Sequence, residues 1–139
     1  MSADRPPKAP GSPEEWLESG ESDLRLARLA SRDSGVRPEQ SCFHAQQAAE
    51  KALKAVLRFR RIDFPLTHDI EELLRLVEEG GPSMPDVVRQ AGFLTPYAVE
   101  ARYPGHWAVI SGTEVAEALS AAEQVVEWAK QVIQPPKGR

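Results

Sequence analysis

The chain has 139 residues, 41% of them hydrophobic, which suits a single domain with a real core. Its 17 basic and 21 acidic side chains give a net charge of −4, which excludes a surface built throughout to coat nucleic acid and leaves room only for a local basic patch. One cysteine, Cys42, excludes an internal disulfide and fits a reducing, cytoplasmic setting, and no stretch approaches the roughly 18 consecutive apolar residues of a membrane span.

Residues 1–11 have the composition of a disordered tail, polar and proline-rich, without the apolar segment of a signal peptide. A helix is expected from Ser12, where Ser12-Pro13-Glu14-Glu15 supplies a capping serine, a proline at the first helical position and a glutamate three residues after the cap. Trp16, Leu17, Gly20, Leu24 and Ala27 then recur at helical spacing, and the pattern frays near Arg32 to Gly35.

The second and longest helix begins near Pro38. Cys42, Phe43, Gln46, Ala49, Leu53, Val56 and Leu57 follow the steps of three and four of a buried stripe. A run to Arg61 gives a rod of about 36 Å at about 1.5 Å per residue, and Phe64-Pro65 breaks it. Thr67 is placed to cap a third helix carrying Ile70, Leu73, Leu74 and Val77, closed by Gly80-Gly81. Ser83 and Asp86 suggest the start of a fourth, with Val87, Val88, Ala91 and Leu94 on its apolar side and Pro96 either kinking or ending it. Residues Arg102 to Gly112 read as a loop. Thr113 is the expected cap of a last helix, whose stripe runs from Val115 through Ala118, Ala122, Val125 and Ala129 to Ile133. No segment alternates with a period of two. The expected fold is therefore all-α, an antiparallel four- to five-helix up-and-down bundle over 12–134, with a second tail at 135–139.

Lys51, Lys54, Arg58 and Arg61 step by three, four and three along the second helix, and Gln47 joins them, so they are expected on one face free of interleaved acids. Such a face suits phosphate or RNA backbone, an acidic partner, or plain solvent. With three histidines, one cysteine and no paired ligand spacing, no metal is expected, nor any cofactor. His68 is expected to bond locally, and Cys42 to be a small core residue.

Several segments together resemble the HEPN family. Cys42-Phe43-His44-Ala45-Gln46-Gln47-Ala48-Ala49-Glu50-Lys51-Ala52-Leu53-Lys54-Ala55 is similar to its signature helix, Thr67-His68-Asp69-Ile70 with Leu73-Leu74 to its next segment, and Tyr97 followed by Arg102-Tyr103-Pro104 to its tyrosine and Arg-Tyr-Pro element. Trp16-Leu17 and Asp23-Leu24 match its first helix more loosely, and the likeness runs over about residues 14 to 133. What the resemblance implies is a bundle that commonly forms a homodimer and is often paired with a separate minimal nucleotidyltransferase as a toxin–antitoxin system. Active members cleave RNA without metal, using an arginine and a histidine with four to six residues between them. Here Arg102 and His106 have only three residues between them, with Pro104-Gly105 interposed and Tyr103 where a polar residue is usual.

The resemblance therefore implies a protein that associates with nucleotide or RNA through Arg102, Tyr103 and the basic face of the second helix, in company with a nucleotidyltransferase. Tyr97 and Tyr103 are candidate acceptors of a nucleotidyl group. Two alternatives stand beside it: a metal-independent endoribonuclease using Arg102 and His106 across a dimer, and a helical scaffold without ligand.

Overall fold

A computed structural model describes residues 11–81, 83–100 and 109–134. The elements are α1 (Pro13–Ser31), α2 (Pro38–Phe59), α3 (Ile70–Glu79), α4 (Asp86–Arg89), a 3-10 segment (Gln90–Leu94), α5 (Tyr97–Glu100) and α6 (Gly112–Ile133), with no strand among the described residues. The protein is an all-α bundle. The tails expected at 1–11 and 135–139 lie outside the described residues except for Gly11, and Arg102, Tyr103 and His106 lie outside them as well.

The first helix starts where its residues dictate. Ser12 Oγ accepts from the Glu15 amide at 3.1 Å while Glu15 Oε1 accepts from the Ser12 amide at 2.8 Å, so two amides that the helix cannot serve are satisfied reciprocally. Replacing Ser12 with alanine is expected to cost about 1 kcal/mol, measured as a shift in the urea midpoint; an unchanged midpoint would show that the box contributes nothing.

Leu17, Gly20, Leu24 and Ala27 form the buried face of α1, which lies against α2 in the opposite sense: Gly20 meets Ala48 and Ala52, and Ser41 Oγ donates to the Ala27 carbonyl at 2.7 Å. A Cβ at Gly20 would stand 3.1 Å from the Ala48 carbonyl oxygen, so the two helices touch backbone to backbone there.

α2 is the centre of the molecule. Its buried positions include Cys42, Ala45, Ala48, Ala49, Ala52, Leu53, Val56 and Leu57, and it packs on α1, α3 and α6. Burial of side chains such as Leu53 and Leu57 contributes about 1.5–3 kcal/mol each, while the alanines let neighbours approach closely. The helix ends at Phe59, and Arg61 takes a left-handed φ of 60° as the Ile62 amide bonds back to the Leu57 carbonyl at 2.9 Å.

From there the chain doubles back along α2, so that α3 begins level with Glu50 and ends beside Ile62. The cap of α3 is Asp69, not Thr67. Asp69 Oδ1 reaches the Glu71 amide at 3.0 Å, whereas the Thr67 hydroxyl turns back to accept from the Asp69 amide at 3.0 Å. Two short side chains compete for one entry, and the nearer one closes the turn.

The fourth helix is not continuous. Pro85, not Ser83, stands at the cap of a single α-turn, which tightens into the 3-10 segment; after Pro96, α5 begins at Tyr97. Val88, Ala91 and Leu94 are buried as their spacing implies, but Val87 is 49% exposed. A register that drifts from 3.6 to 3 residues per turn cannot keep all four on one side.

α6 is capped by Ser111 rather than Thr113, through a second reciprocal box with Glu114 (3.1 and 3.0 Å). Ala118, Ala122, Val125, Val126, Ala129 and Ile133 are buried, and so is Trp128, which stood outside the expected stripe. Ion pairs Arg28–Glu123 and Glu21–Lys130 set α6 antiparallel to α1. None of the described helices is long and apolar enough to cross a membrane.

Candidate functional site: a polar seam along the central helix

Steps of three and four do place Lys51, Lys54 and Arg58 on one stripe of α2, but that stripe faces α1 and the returning segment 60–69. The expectation of a face free of acids is corrected by two carboxylates. Asp23 on α1 accepts from Lys51 Nζ at 2.7 Å and lies 3.0 Å from His44 Nδ1. Glu50, four residues before Lys54, accepts from Lys54 Nζ at 2.9 Å and from Gln46 Nε2 at 3.1 Å, and lies 3.0 Å from His68 Nδ1. Each carboxylate thus joins one lysine to one histidine.

The second of these clusters is the deeper. The Glu50 and Lys54 side chains are 4% and 7% exposed, whereas that of His68 is 58% exposed. Gln46 is buried and donates also to the His68 carbonyl at 3.1 Å, while Gln47 donates to Gln46 Oε1 at 2.7 Å. Gln47 is therefore the outer end of a chain of hydrogen bonds that runs inward to Lys54. His68 bonds eighteen residues away rather than locally, because the segment after α2 returns to the level of Glu50.

Around the inner end stand Trp16 and Phe64, edge to face with ring centres 6.2 Å apart. Lys54 Nζ lies 5.5 Å from the Trp16 ring and 5.7 Å from the Phe64 ring, and Arg58 Cζ lies 5.2 Å from the Phe64 ring. Arg61, exposed and past the helix end, belongs to neither carboxylate cluster.

Cys42 and Tyr97 share a hydrogen bond where α5 meets α2, and both are buried. Desolvation pushes the thiol up to about 11, against a smaller lowering by the Tyr97 hydrogen bond. Desolvation likewise pushes the phenol up to about 12, reinforced by Cys42 and Glu114. Both groups are neutral at physiological pH, so Cys42 behaves as a core residue and not as a thiolate nucleophile. Tyr97, Ala98 and Ile110 are buried, and Arg102, Tyr103 and His106 fall between them in the sequence.

Among the described residues no three His, Cys, Asp or Glu side chains gather as metal ligands. Sequence reasoning missed Asp23 and Glu50 as the organisers of the seam. The signal for Glu50 was its i, i+4 relation to Lys54; Asp23 had none, since its partners lie on another helix.

Fold and seam together define a class: a small helical bundle whose central helix is wrapped by the others and carries a hydrogen-bonded charged stripe. The HEPN domain family matches residues 13–132, and the chain belongs to that family. Among solved structures it is similar to ST0689, described as an archaeal HEPN homologue, with 28% identity and a TM-score of 0.71 over 90% of this chain and 100% of that one. It is likewise similar to TT1696 from Thermus thermophilus, with 27% identity and a TM-score of 0.71 over 86% of this chain and 97% of that one. No curated protein matches significantly.

Proposed function

We propose that this chain is a nucleotide- or RNA-associated HEPN protein that works as a homodimer with a separate minimal nucleotidyltransferase, as one half of a toxin–antitoxin pair. The observation that carries the reading is family membership over 13–132, a span that takes in both the signature helix and the Arg102-Tyr103-Pro104 element. Arg102 and Tyr103 supply the principal contacts, with Arg58 and Arg61 from the end of α2; Lys51, Lys54 and Gln47 act through the polar seam. Tyr103 is the candidate acceptor of a nucleotidyl group, whereas Tyr97, buried and hydrogen-bonded to Cys42, serves the core. Three residues between Arg102 and His106, with Pro104-Gly105 among them, argue for association rather than cleavage.

Co-expression with the product of the neighbouring reading frame tests the proposal. A co-eluting complex with a nucleotidyltransferase is expected. Arg102→Ala is expected to weaken nucleotide or RNA binding by roughly tenfold to a hundredfold, the loss of one charge-assisted contact. An unrelated neighbour and no complex would count against it. RNA cleavage in the presence of chelator, abolished by His106→Ala, would instead establish the endoribonuclease.

A further inference from the structure

Two buried N–H groups at one end of the seam have no acceptor among the described residues: the indole Nε1 of Trp16 and the guanidinium Nε of Arg58. Buried donors are almost always paired, and leaving one unpaired costs about 1–3 kcal/mol. Both belong to side chains gathered around the single ring of Phe64, with Trp16 at 6.2 Å and Arg58 at 5.2 Å. Lys54 Nζ completes the group at 5.7 Å from the same ring, and only one of its three hydrogens is engaged, by Glu50.

The charges at this place do not balance. Lys54 and Arg58 bring two positive charges, and Glu50 is the one carboxylate bonded among them. Arg58 has no carboxylate partner among the described residues. The third buried unpaired polar atom, Glu39 Oε1, is on the opposite end of α2, about 28 Å away at 1.5 Å per residue, and cannot serve. An oxygen acceptor with negative charge from outside this cluster would satisfy these donors and balance the charge.

The donors are chemically and directionally diverse: an indole N–H, the edge of a guanidinium whose carbon sits near an aromatic ring, and an ammonium. A planar carboxylate matches one guanidinium edge well, but a tetrahedral oxyanion offers oxygens in several directions at once. We infer that Trp16 Nε1, Arg58 Nε and Lys54 Nζ form a phosphate subsite beside Phe64. It takes the phosphate group of a small phosphoester or free phosphate. That the group belongs to a nucleotide rests on the proposed function; the subsite itself does not.

The test follows the Trp16 indole N–H resonance of the full chain by NMR, assigned with Trp16→Phe, during titration with inorganic phosphate at constant chloride. A saturable shift is expected, lost in Arg58→Gln and retained in Arg75→Gln, whose arginine pairs with Glu79 on α3. Trp16→Phe, which keeps the ring and removes the donor, is expected to bind phosphate about tenfold more weakly by calorimetry, and carries the same test should Arg58→Gln fail to fold. Adenosine monophosphate binding about tenfold tighter than phosphate identifies a nucleotide as the source, and equal binding identifies free phosphate. An indole resonance that does not move, or that moves equally in Arg58→Gln and Arg75→Gln, means that ordered water satisfies these donors and overturns the subsite. Failure to form a complex with a nucleotidyltransferase would leave these readouts untouched, so the two proposals fail separately.

Discussion

Glu50→Ala is expected to destabilise the bundle by about 3–5 kcal/mol, because it leaves a buried ammonium without its counter-charge. Glu50 holds Lys54, Gln46 and His68 together, and its side chain is 4% exposed. Without the carboxylate, Lys54 has two aromatic rings at 5.5 and 5.7 Å, and these compensate only part of the lost interaction. Urea unfolding of Glu50→Ala measures the loss. The double variant Glu50→Leu/Lys54→Met provides the decisive contrast: replacing both ions by apolar side chains of similar volume is expected to recover most of it. If Glu50→Ala costs less than about 1 kcal/mol, the pair is solvated and the seam is not a buried one. If the double variant is as unstable as the single one, the ions are needed for packing geometry rather than for each other.

Alkaline pH is expected to unfold the protein through Cys42 and Tyr97. Both folded-state values lie above the ordinary ones, 9.0 raised to about 11 for the thiol and 10.0 raised to about 12 for the phenol, with burial the leading cause. Below pH 9 the thiol is protonated folded and unfolded, so its contribution is present in full. As pH rises past the unfolded value the unfolded chain releases its proton first, and stability falls until the folded value near 11 is reached. Two units correspond to about 3 kcal/mol for Cys42 alone. The informative quantity is the slope of stability against pH relative to Cys42→Ala. Between pH 9 and 11 that variant is expected to show a shallower decline than the parent, whatever it loses at neutral pH from packing. Parallel slopes would show that the thiol ionises as freely folded as unfolded. Tyr97→Phe is expected to flatten the slope one unit higher, between 10 and 12.

Apolar periodicity and capping chemistry make most of the bundle legible in the sequence. Ser12-Pro13-Glu14-Glu15 located the start of α1 because a reciprocal box needs only residues three apart. α2 was legible from its long stripe, and Leu17, Leu24, Leu53 and Leu57 are in the core as their spacing implies. The misplacements have a common cause, competition between neighbouring short polar side chains. Asp69 displaced Thr67, and Ser111 displaced Thr113. The segment around Val87 failed differently, since a single α-turn followed by 3-10 geometry has no constant period to detect.

The candidate site was less legible for a reason that concerns distance along the chain. A stripe of cations reads the same whether it faces solvent or another helix. Only the partners distinguish the two, and Asp23 is 28 residues from Lys51. His68 meets Glu50 because the chain reverses after Arg61, and the residues themselves give no sign of how far that reversal travels.

The enclosure of α2 by α1, α3 and α6 also governs how this small protein relates to others. With its central rod sheathed over most of its length, any larger assembly must be added to the outer rind. Leu26 and Leu29 on α1, Val87 on α4 and Phe93 on the 3-10 segment are the large apolar side chains that these elements present there. Association with other protein chains is thereby uncoupled from the interior: one rind can be re-tailored, substitution by substitution, while the sheathed rod stays as it is.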